Sequence, residues 1–234
     1  MLIIFAYHNF CLKYNGLDTN LYVSISNLEK QLKFLLKKFS RNFEFLKDIT
    51  DEKILDSNVY IAITVDDGCD NFNLGYKIFL KRNIPVTLFV SKNKIGKKIY
   101  EKDLKKSIKY LNKKDLLHFE KNIVDIQNHG YDHLVIKDNY ENNFLKSKTF
   151  LEKIFKKDIN IFCYPYGYYE EKMFNILRDK KYKYACTTDT GINYKNFKKF
   201  RLKRIPISSY DDGVEISNKI KFYEKDFINK SKKQ

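Results

Sequence analysis

Tryptophan is absent from the 234-residue chain, which also has only three prolines and eight glycines. No stretch approaches the roughly 20 consecutive apolar residues that a membrane-spanning helix requires, so the sequence predicts no transmembrane segment. The first residues lack a basic region followed by a long apolar core, so we expect a first strand there rather than a signal peptide. No Gly/Ser-rich linker or internal repeat divides the chain. We therefore expect one domain over residues 1–234, ending in a short basic C-terminal tail.

Cysteine is also scarce, and its spacing excludes one class of metal site. The four cysteines, Cys11, Cys69, Cys163 and Cys186, form no C-x-x-C pair, which argues against a zinc site made of thiolates. A chain of this length can bury a core without disulfide bonds. We therefore expect reduced thiols and a cytoplasmic protein.

The charge of the chain is strongly unbalanced, since 45 basic residues against 29 acidic ones give a net charge of +16. A basic surface attracts anions such as phosphates or acidic glycans. The lysines are dispersed along the chain, however, and a solvated surface is the simpler interpretation. Because no basic recognition helix or known nucleic-acid motif is present, we do not expect a nucleic-acid partner.

Short apolar runs alternate along the chain with longer segments of helical periodicity. One helical face, for example, combines Leu28, Leu32 and Leu35. Strand–helix alternation of this kind predicts a parallel sheet with helices outside it. Six to seven strands suit a β/α barrel, although an open doubly wound sheet also fits the alternation. The predicted strands are Leu2–Tyr7, Tyr60–Val65, Val86–Val90, Ile123–Ile126, Ile161–Tyr164, Tyr184–Thr187 and a late strand at Arg201–Ile207.

Four of the predicted strands end in polar residues of the kinds that active sites use. The carboxyl ends of parallel strands meet on one face, and the active sites of β/α proteins are built there. The chain has only four histidines, and three of them fall at such ends. The strand-end segments are Tyr7-His8-Asn9, Asp66-Asp67-Gly68, Asn128-His129-Gly130-Tyr131-Asp132-His133 and Pro165-Tyr166-Gly167.

One aspartate and two histidines from these segments can form a three-ligand metal site with open positions for water and substrate. His129 and His133 are separated by three residues, and either a first helical turn or a loop can bring both imidazoles to one ion. Of the paired carboxylates Asp66 and Asp67, one can bind the ion while the other takes a proton from water. Zinc suits such ligands, although other divalent metals can occupy the same site.

In their order and spacing these segments resemble the motifs of polysaccharide deacetylases, the NodB-homology or carbohydrate esterase family 4 group. The resemblance covers roughly residues 1–207. It is closest to a variant branch with an N-terminal Tyr-His strand and a Tyr-Pro-Tyr-Gly motif. The segments that carry it are Ile63-Thr64-Val65-Asp66-Asp67-Gly68, His129-Gly130-Tyr131-Asp132-His133, Phe162-Cys163-Tyr164-Pro165-Tyr166-Gly167, Ala185-Cys186-Thr187-Thr188 with Gly191 and Asn193, and Arg204-Ile205-Pro206-Ile207.

The resemblance implies a distorted, partly open β/α barrel with about seven strands. It also implies a metal-dependent hydrolase that removes an N-acetyl or similar acyl group from a sugar or glycan. Asp66 matches the general base of the family, and the backbone N–H of Tyr166 matches an oxyanion-hole donor. The metal ligands implied are Asp67, His129 and His133, with zinc as the expected ion. The residues expected to contact substrate are Tyr7, Tyr164, Pro165 and Gly167.

Two positions depart from the family pattern. Cys163 stands where the third motif usually has an arginine that steadies the base, and we expect Arg204 to replace it by pairing with Asp66. The histidine that usually supplies the general acid is missing from its place late in the chain. We expect His8, at the end of the first strand, to supply the acid in a permuted arrangement. The remaining histidine, His118, falls in a helical pattern and is not expected to be catalytic.

Other functions remain open at the level of the sequence. A catalytically weak deacetylase-like domain that binds glycan is the main alternative, and measured acetate release distinguishes the two. A glycoside hydrolase would need two carboxylates flanking a sugar but would not need the histidines. The sequence does not fix the substrate. A cytoplasmic location would favour a nucleotide-linked or lipid-linked sugar of surface-glycan synthesis over a polymer outside the cell.

Overall fold

The computed structural model describes residues 1–14, 20–40, 42–50, 53, 58–101, 105–138 and 140–231. The strands are β1 (Leu2–Tyr7), β2 (Asn9–Cys11), β3 (Tyr22–Ser24), β4 (Tyr60–Val65), β5 (Val86–Val90), β6 (Lys98–Glu101), β7 (Lys106–Lys109), β8 (Val124–Asn128), β9 (Ile161–Cys163), β10 (Tyr184–Thr190) and β11 (Leu202–Pro206). The described helices of six or more residues are α1 (Ile25–Phe39), α2 (Phe72–Arg82), α3 (Lys113–His118), a π-helical segment (Glu141–Lys146), α4 (Ser147–Phe155), α5 (Lys172–Asp179) and α6 (Gly213–Ser231).

Seven of these strands form a closed parallel barrel in the order β1-β11-β10-β9-β8-β5-β4. The ring closes between β1 and β4, which pair continuously from Leu2↔Tyr60 to Tyr7↔Val65. The weakest seam joins β8 to β9 through the single register pair Asn128↔Phe162. The expectation of a seven-stranded β/α barrel is confirmed. The ring is closed rather than partly open, and it is irregular both at this seam and between β10 and β11, where the register shifts after Cys186.

Each barrel strand sends alternate side chains inwards and outwards, as the pleat of a β-strand requires. In β1, Leu2 and Ile4 belong to the cluster inside the barrel, whereas Ile3, Phe5 and Tyr7 belong to the outer cluster that includes residues of α1 and α2. A large apolar side chain gains about 1.5–3 kcal/mol on burial. Because a slip by one residue would exchange the two faces, this double burial fixes the register.

Helix α1 is hydrogen-bonded to the segment that follows β11. The helix begins after Ser24, whose hydroxyl accepts a hydrogen bond from the backbone N–H of Asn27. Gln31 is completely buried, and its side-chain amide donates to the carbonyls of Ser208 at 2.9 Å and Asp211 at 2.7 Å. These bonds fix a loop at the carboxyl end of β11, the end at which the candidate site lies.

Two short strand pairs lie outside the barrel. β2 pairs in parallel with β3, and β6 pairs with β7 as an antiparallel hairpin. Leu111, just after β7, donates its N–H to the Gly68 carbonyl, and Asp70 donates its N–H to the Lys109 carbonyl. The β6–β7 hairpin is therefore bonded to the loop that follows β4.

Two general properties of the described residues complete the fold. The four cysteines are buried and none is paired with another. No helix in the described ranges has both the length and the apolarity needed to cross a bilayer.

Candidate active site

The candidate site is a cavity of about 240 Å³ at the carboxyl ends of the barrel strands. Strand pleating selects the side chains that enter it. Ala62 in β4 and Leu202 in β11 face the barrel interior. Asp66 lies four residues after Ala62 and Arg204 lies two residues after Leu202, so both have the inward parity. Two adjoining groups result, which we name the Asp66 half (Asp66, Arg204, Cys163 and His8) and the Asp67 half (Asp67, His129 and His133).

The Asp66 half is built around a buried ion pair. Asp66 and Arg204 are 3% and 4% exposed, and the two guanidinium nitrogens Nη1 and Nη2 donate to the two carboxylate oxygens at 2.8 Å each. The Nε of Arg204 donates to the Thr187 carbonyl at 2.9 Å, and Nη1 also donates to the Thr64 hydroxyl at 3.2 Å. A bidentate pair held in this way fixes the orientation of the carboxylate. The contact expected between Arg204 and Asp66 is present.

The charge state of Asp66 follows from these contacts. Burial alone would raise the pKa of this carboxyl. The charge and hydrogen bonds of Arg204, with smaller contributions from His8 and His129, lower the pKa to about 2 instead. Asp66 is therefore ionised at neutral pH.

Cys163 and His8 contact the same oxygen of Asp66. The Cys163 thiol donates to Oδ2 across 3.6 Å, and burial raises the pKa of this thiol well above its usual range, so it stays protonated. The Nε2 of His8 lies 3.7 Å from Oδ2, and the His8 side chain is 27% exposed. His8 therefore lies between the buried base candidate and the open part of the cavity.

The Asp67 half brings one carboxylate against two imidazoles. Oδ1 of Asp67 lies 2.9 Å from Nε2 of His133 and 3.4 Å from Nε2 of His129. Asp67 and His133 have φ values of 74° and 57°, in the left-handed region that residues other than glycine rarely adopt. Such backbone strain costs on the order of 1–3 kcal/mol per residue and tends to collect at functional sites.

The donor set of the Asp67 half fits a divalent metal. The His129 Nδ1–H donates to the Cys163 carbonyl at 2.7 Å, so a neutral ring directs the lone pair of Nε2 towards Asp67. Burial lowers the pKa of His133 and favours its neutral ring, although Asp67 opposes this effect. Lone pairs from all three side chains then converge within 4.8 Å, an arrangement that a cation stabilises. Two ligands of a tetrahedral zinc ion lie about 3.3 Å apart, close to the distances found here.

A second group of possible donors, Asp66, His129 and Cys163, lies equally close together. It suits a metal less well, because the positive charge of Arg204 already pairs with Asp66 and would repel a cation there. The thiol of Cys163 is also held in its protonated form by burial, whereas a metal binds the thiolate. The Asp67 half is therefore the better candidate.

The Tyr166-Gly167 turn forms the wall of the cavity beside His133. The Tyr166 ring is 56% exposed and its centroid lies 4.9 Å from that of His133. Tyr166 and Gly167 have φ values of 58° and 71°. A Cβ on Gly167 would lie 2.0 Å from the Thr188 hydroxyl oxygen, so only glycine fits this position.

The family model for polysaccharide deacetylases matches residues 56–185, more than half of the 234 residues. The chain belongs to this family. The Bacillus subtilis (strain 168) protein YxkH, provisionally named a polysaccharide deacetylase, is 25% identical over 153 residues. The match covers 63% of this chain and 51% of YxkH, so the chain spans about half the length of that relative.

Solved structures from two bacteria share the fold of this family member. BC0361, a polysaccharide deacetylase from Bacillus cereus, matches 93% of this chain and 68% of its own, with a TM-score of 0.78 at 22% identity. The Streptococcus pyogenes deacetylase PplD, solved in complex with acetate, matches 94% of this chain and 97% of its own, with a TM-score of 0.77 at 20% identity. At these identities the likeness extends to the α/β barrel fold.

Most of the predicted site residues line the cavity, but two do not. Tyr7 has the outward parity of β1, and its completely buried ring packs 6.0 Å from that of Phe10 in the outer core. Pro165 is buried against Gly130. The structure therefore places the side chains of Tyr7 and Pro165 outside the cavity, contrary to the predicted contact with substrate. The predicted residues that line the cavity are His8, Asp66, Asp67, His129, His133, Tyr164, Tyr166, Gly167 and Arg204.

Lys94, Glu101 and Tyr110 are among the lining residues that were not predicted from the sequence. Lys94 lies in a helical turn just after β5, and the strand-end rule that singled out Asp66 would also have singled out this turn. Glu101 and Tyr110 come from the β6–β7 hairpin and its exit. Strands of four residues with mixed polarity give no distinct pattern in a sequence.

Proposed function

We propose that this chain is a metal-dependent hydrolase that removes an N-acetyl or similar acyl group from a sugar or glycan. One observation carries the proposal: an ionised, oriented carboxylate, Asp66, shares a cavity with the converging donors of Asp67, His129 and His133. Membership of the polysaccharide deacetylase family supports the same reaction.

Asp67, His129 and His133 would hold the metal, for which zinc is the simplest choice because two imidazoles and one carboxylate leave coordination positions open. A divalent ion at this position polarises the acyl carbonyl and acidifies water.

Asp66 is the proposed general base, which takes a proton from the attacking water. Arg204 keeps the carboxylate ionised and pointed into the cavity, and the Cys163 thiol steadies the same oxygen that His8 approaches. General-base catalysis of this kind contributes about 10²–10⁴-fold to the rate.

His8 is the proposed general acid, which protonates the departing amine when the tetrahedral intermediate collapses. Its position 3.7 Å from Asp66 on the open side of the pair supports this role. The backbone N–H of Tyr166 is proposed to donate to the developing oxyanion, and such a donor is worth about 10²–10³-fold in turnover. The position of Tyr166 beside His133 supports this contribution.

The proposed substrate is one N-acetylated sugar unit, alone or within a nucleotide-linked, lipid-linked or oligosaccharide molecule. The cavity of about 240 Å³ is smaller than the roughly 300–1,000 Å³ of pockets for drug-sized ligands, which favours a single ring. The cytoplasmic location predicted from the sequence would favour the nucleotide-linked and lipid-linked forms.

Acetate release from N-acetylated sugars, sugar nucleotides and oligosaccharides tests this function. We expect metal-dependent release from at least one of these classes, abolished by a chelator and restored by zinc. Binding of a glycan without acetate release, in the presence of added metal, would favour the alternative of a catalytically weak glycan-binding domain.

Metal content tests the ligand assignment independently of turnover. Protein purified without chelator should contain zinc or another divalent ion, and His129→Ala should lose it. His118→Ala is the matched control, because His118 is exposed at the end of α3 and does not line the cavity. Equal metal content in the parent and in His129→Ala would remove the assignment.

A further inference from the structure

A charged cluster that the proposed mechanism does not use lies in the wall of the active-site cavity. The Lys94 ammonium donates to Oε1 of Glu101 at 2.8 Å and lies 3.0 Å from the Tyr110 hydroxyl. The Tyr110 hydroxyl donates to the same Oε1 at 2.5 Å. All three residues line the cavity that also contains Asp67 and His133. We name Lys94, Glu101 and Tyr110 the wall cluster.

The backbone holds the wall cluster in a fixed position relative to the Asp67 half. Lys94 follows β5, a strand that pairs with both β4 and β8. Gly96 donates its N–H to the Leu111 carbonyl, and Leu111 donates its own to the carbonyl of Gly68, the residue after Asp67. Lys94 and the hairpin that carries Glu101 are therefore bonded to the loop of the candidate ligand Asp67.

The wall cluster adds little to the stability of the fold. Lys94 is only 8% exposed, although the Glu101 side chain is 26% exposed, and taking a lysine out of water for an ion pair costs about as much as the attraction returns. Replacing a buried ion pair by apolar residues of similar size is often neutral or stabilising for a fold. A hydrogen-bonded charge pair in the wall of a cavity is instead typical of a binding site.

The cluster retains hydrogen-bonding capacity towards the cavity. Lys94 has three N–H donors, of which Glu101 and Tyr110 engage two. Both contacts to Glu101 converge on Oε1, and among the described residues Oε2 receives no hydrogen bond. Within the described part of the chain, one N–H of Lys94 and Oε2 of Glu101 therefore remain for a ligand.

This combination suits the hydroxyl groups of a sugar ring. A hydroxyl both donates and accepts a hydrogen bond, so neighbouring hydroxyls can bind an ammonium and a carboxylate at once. The lysine charge is already balanced by Glu101, so the pair carries no net charge with which to attract a phosphate. A neutral polyhydroxylated ring is therefore the better match.

We propose that Lys94 and Glu101, steadied by Tyr110, bind hydroxyls of the N-acetylated sugar and position its acyl group at the Asp67 half. The pair would thus determine specificity for a sugar over other acyl compounds. The proposal deepens the proposed function and rests on it.

Two variants and two substrates separate this role from a structural one. Lys94→Met and Glu101→Gln should lower kcat/KM for N-acetylglucosamine oligomers by about 10- to 100-fold, mainly through KM, because a charged hydrogen bond to a hydroxyl is lost. Hydrolysis of 4-nitrophenyl acetate, which has no sugar hydroxyls, should fall much less than hydrolysis of the sugar, and the metal should be retained. Lys109→Met is the matched control. Lys109 lies in the same hairpin as Glu101 and pairs with Asp70 of the loop after β4, but it is exposed and does not line the cavity.

Deoxy analogues of the sugar sharpen the test. The analogue without the contacted hydroxyl should be a poorer substrate for the parent, and Lys94→Met should cause no further loss with it. Equal losses on the sugar and on 4-nitrophenyl acetate, or no loss on the sugar, would overturn the role of the wall cluster.

Calorimetric binding of the same oligomers separates failure of this proposal from failure of the proposed function. Binding by the parent that Lys94→Met weakens about 10-fold or more would support the wall cluster even if no acetate is released, and the deacetylase function alone would then fail. A parent that neither binds nor deacetylates any of the N-acetylated sugars, sugar nucleotides and oligosaccharides would overturn both.

Discussion

The Asp66 half and the Asp67 half contain adjacent aspartates whose negative charges are balanced in different ways. Asp66 receives two 2.8 Å hydrogen bonds from Arg204 and is almost completely buried. Asp67 faces the imidazoles of His129 and His133, and its side chain is 20% exposed. The first carboxylate already has a fixed cation, whereas the second completes a set of donors for one. Two residues of the same type are thus suited to different tasks by their surroundings.

The backbone produces this difference within one dipeptide. Asp66 continues the inward parity of β4 and meets β11 across the barrel interior. Asp67 has a φ of 74°, which turns the chain out of the strand and towards the carboxyl end of β8, where the two histidines lie. A pKa of about 2 makes Asp66 a weak base, and a metal held by the Asp67 half would offset this by acidifying water.

Replacing each aspartate in turn by asparagine should have the largest effects on activity, and the two variants should differ most in metal content. We expect Asp67→Asn to lose metal and essentially all acetate release, because the carboxylate ligand is removed. Asp66→Asn should keep its metal and lose about 10²–10⁴-fold in kcat, the usual contribution of a general base. Metal analysis and steady-state kinetics on both variants check this, and the reverse pattern would exchange the two roles.

Breaking the ion pair of the Asp66 half should reduce stability as well as activity. Arg204→Met leaves Asp66 buried without its counter-charge, which typically costs about 3–5 kcal/mol in the free energy of unfolding. The measurement is urea denaturation followed by circular dichroism. Adding Asp66→Asn to Arg204→Met should restore part of the loss.

The matched control for this prediction is a surface pair. Arg201 donates to Asp189 at 2.6 Å, but its side chain is 40% exposed. Arg201→Met should therefore cost only about 0–1 kcal/mol. Similar losses for Arg204→Met and Arg201→Met would show that burial does not distinguish the two pairs.

Much of the barrel could be predicted from apolar runs alone. β1, β4 and β5 have the predicted bounds because each is a run of five or six residues buried on both faces. β10 extends beyond its prediction to Thr190, into polar residues that carry no apolar pattern. The pairs β2–β3 and β6–β7 were not predicted, since their three- and four-residue strands depend on neighbours distant in sequence.

Residues of the candidate site could be predicted where the strands that carry them could be predicted. The strand-end rule found Asp66, Asp67 and His129 because the carboxyl ends of parallel strands meet on one face. It misassigned Tyr7, since a strand end has two faces and only the pleat decides which one enters the barrel. Glu101 was missed because its place in the cavity depends on the pairing of a hairpin.

A smaller and more selective effect is expected at His8, which lies between the two halves and the open cavity. His8→Ala should keep its fold and metal, because this partly exposed side chain contacts Asp66 only at 3.7 Å. Cleavage of an N-acetyl amide should fall about 10²-fold, since the amine leaves poorly without a proton donor. An activated aryl ester, whose leaving group needs little protonation, should be spared. Equal cleavage of amide and ester at the parent rates would make His8 structural.

The smallest effect is expected at His118, the histidine outside both halves of the site. It is the last residue of α3 and is exposed, and it does not line the cavity. A substitution at such a surface position typically changes the free energy of unfolding by no more than about 0.5 kcal/mol. His118→Ala should therefore match the parent in metal content, in kcat and in KM, measured beside His129→Ala. A soluble, folded His118→Ala that lost acetate release would show that the site extends to α3, and the division into two halves would then be incomplete.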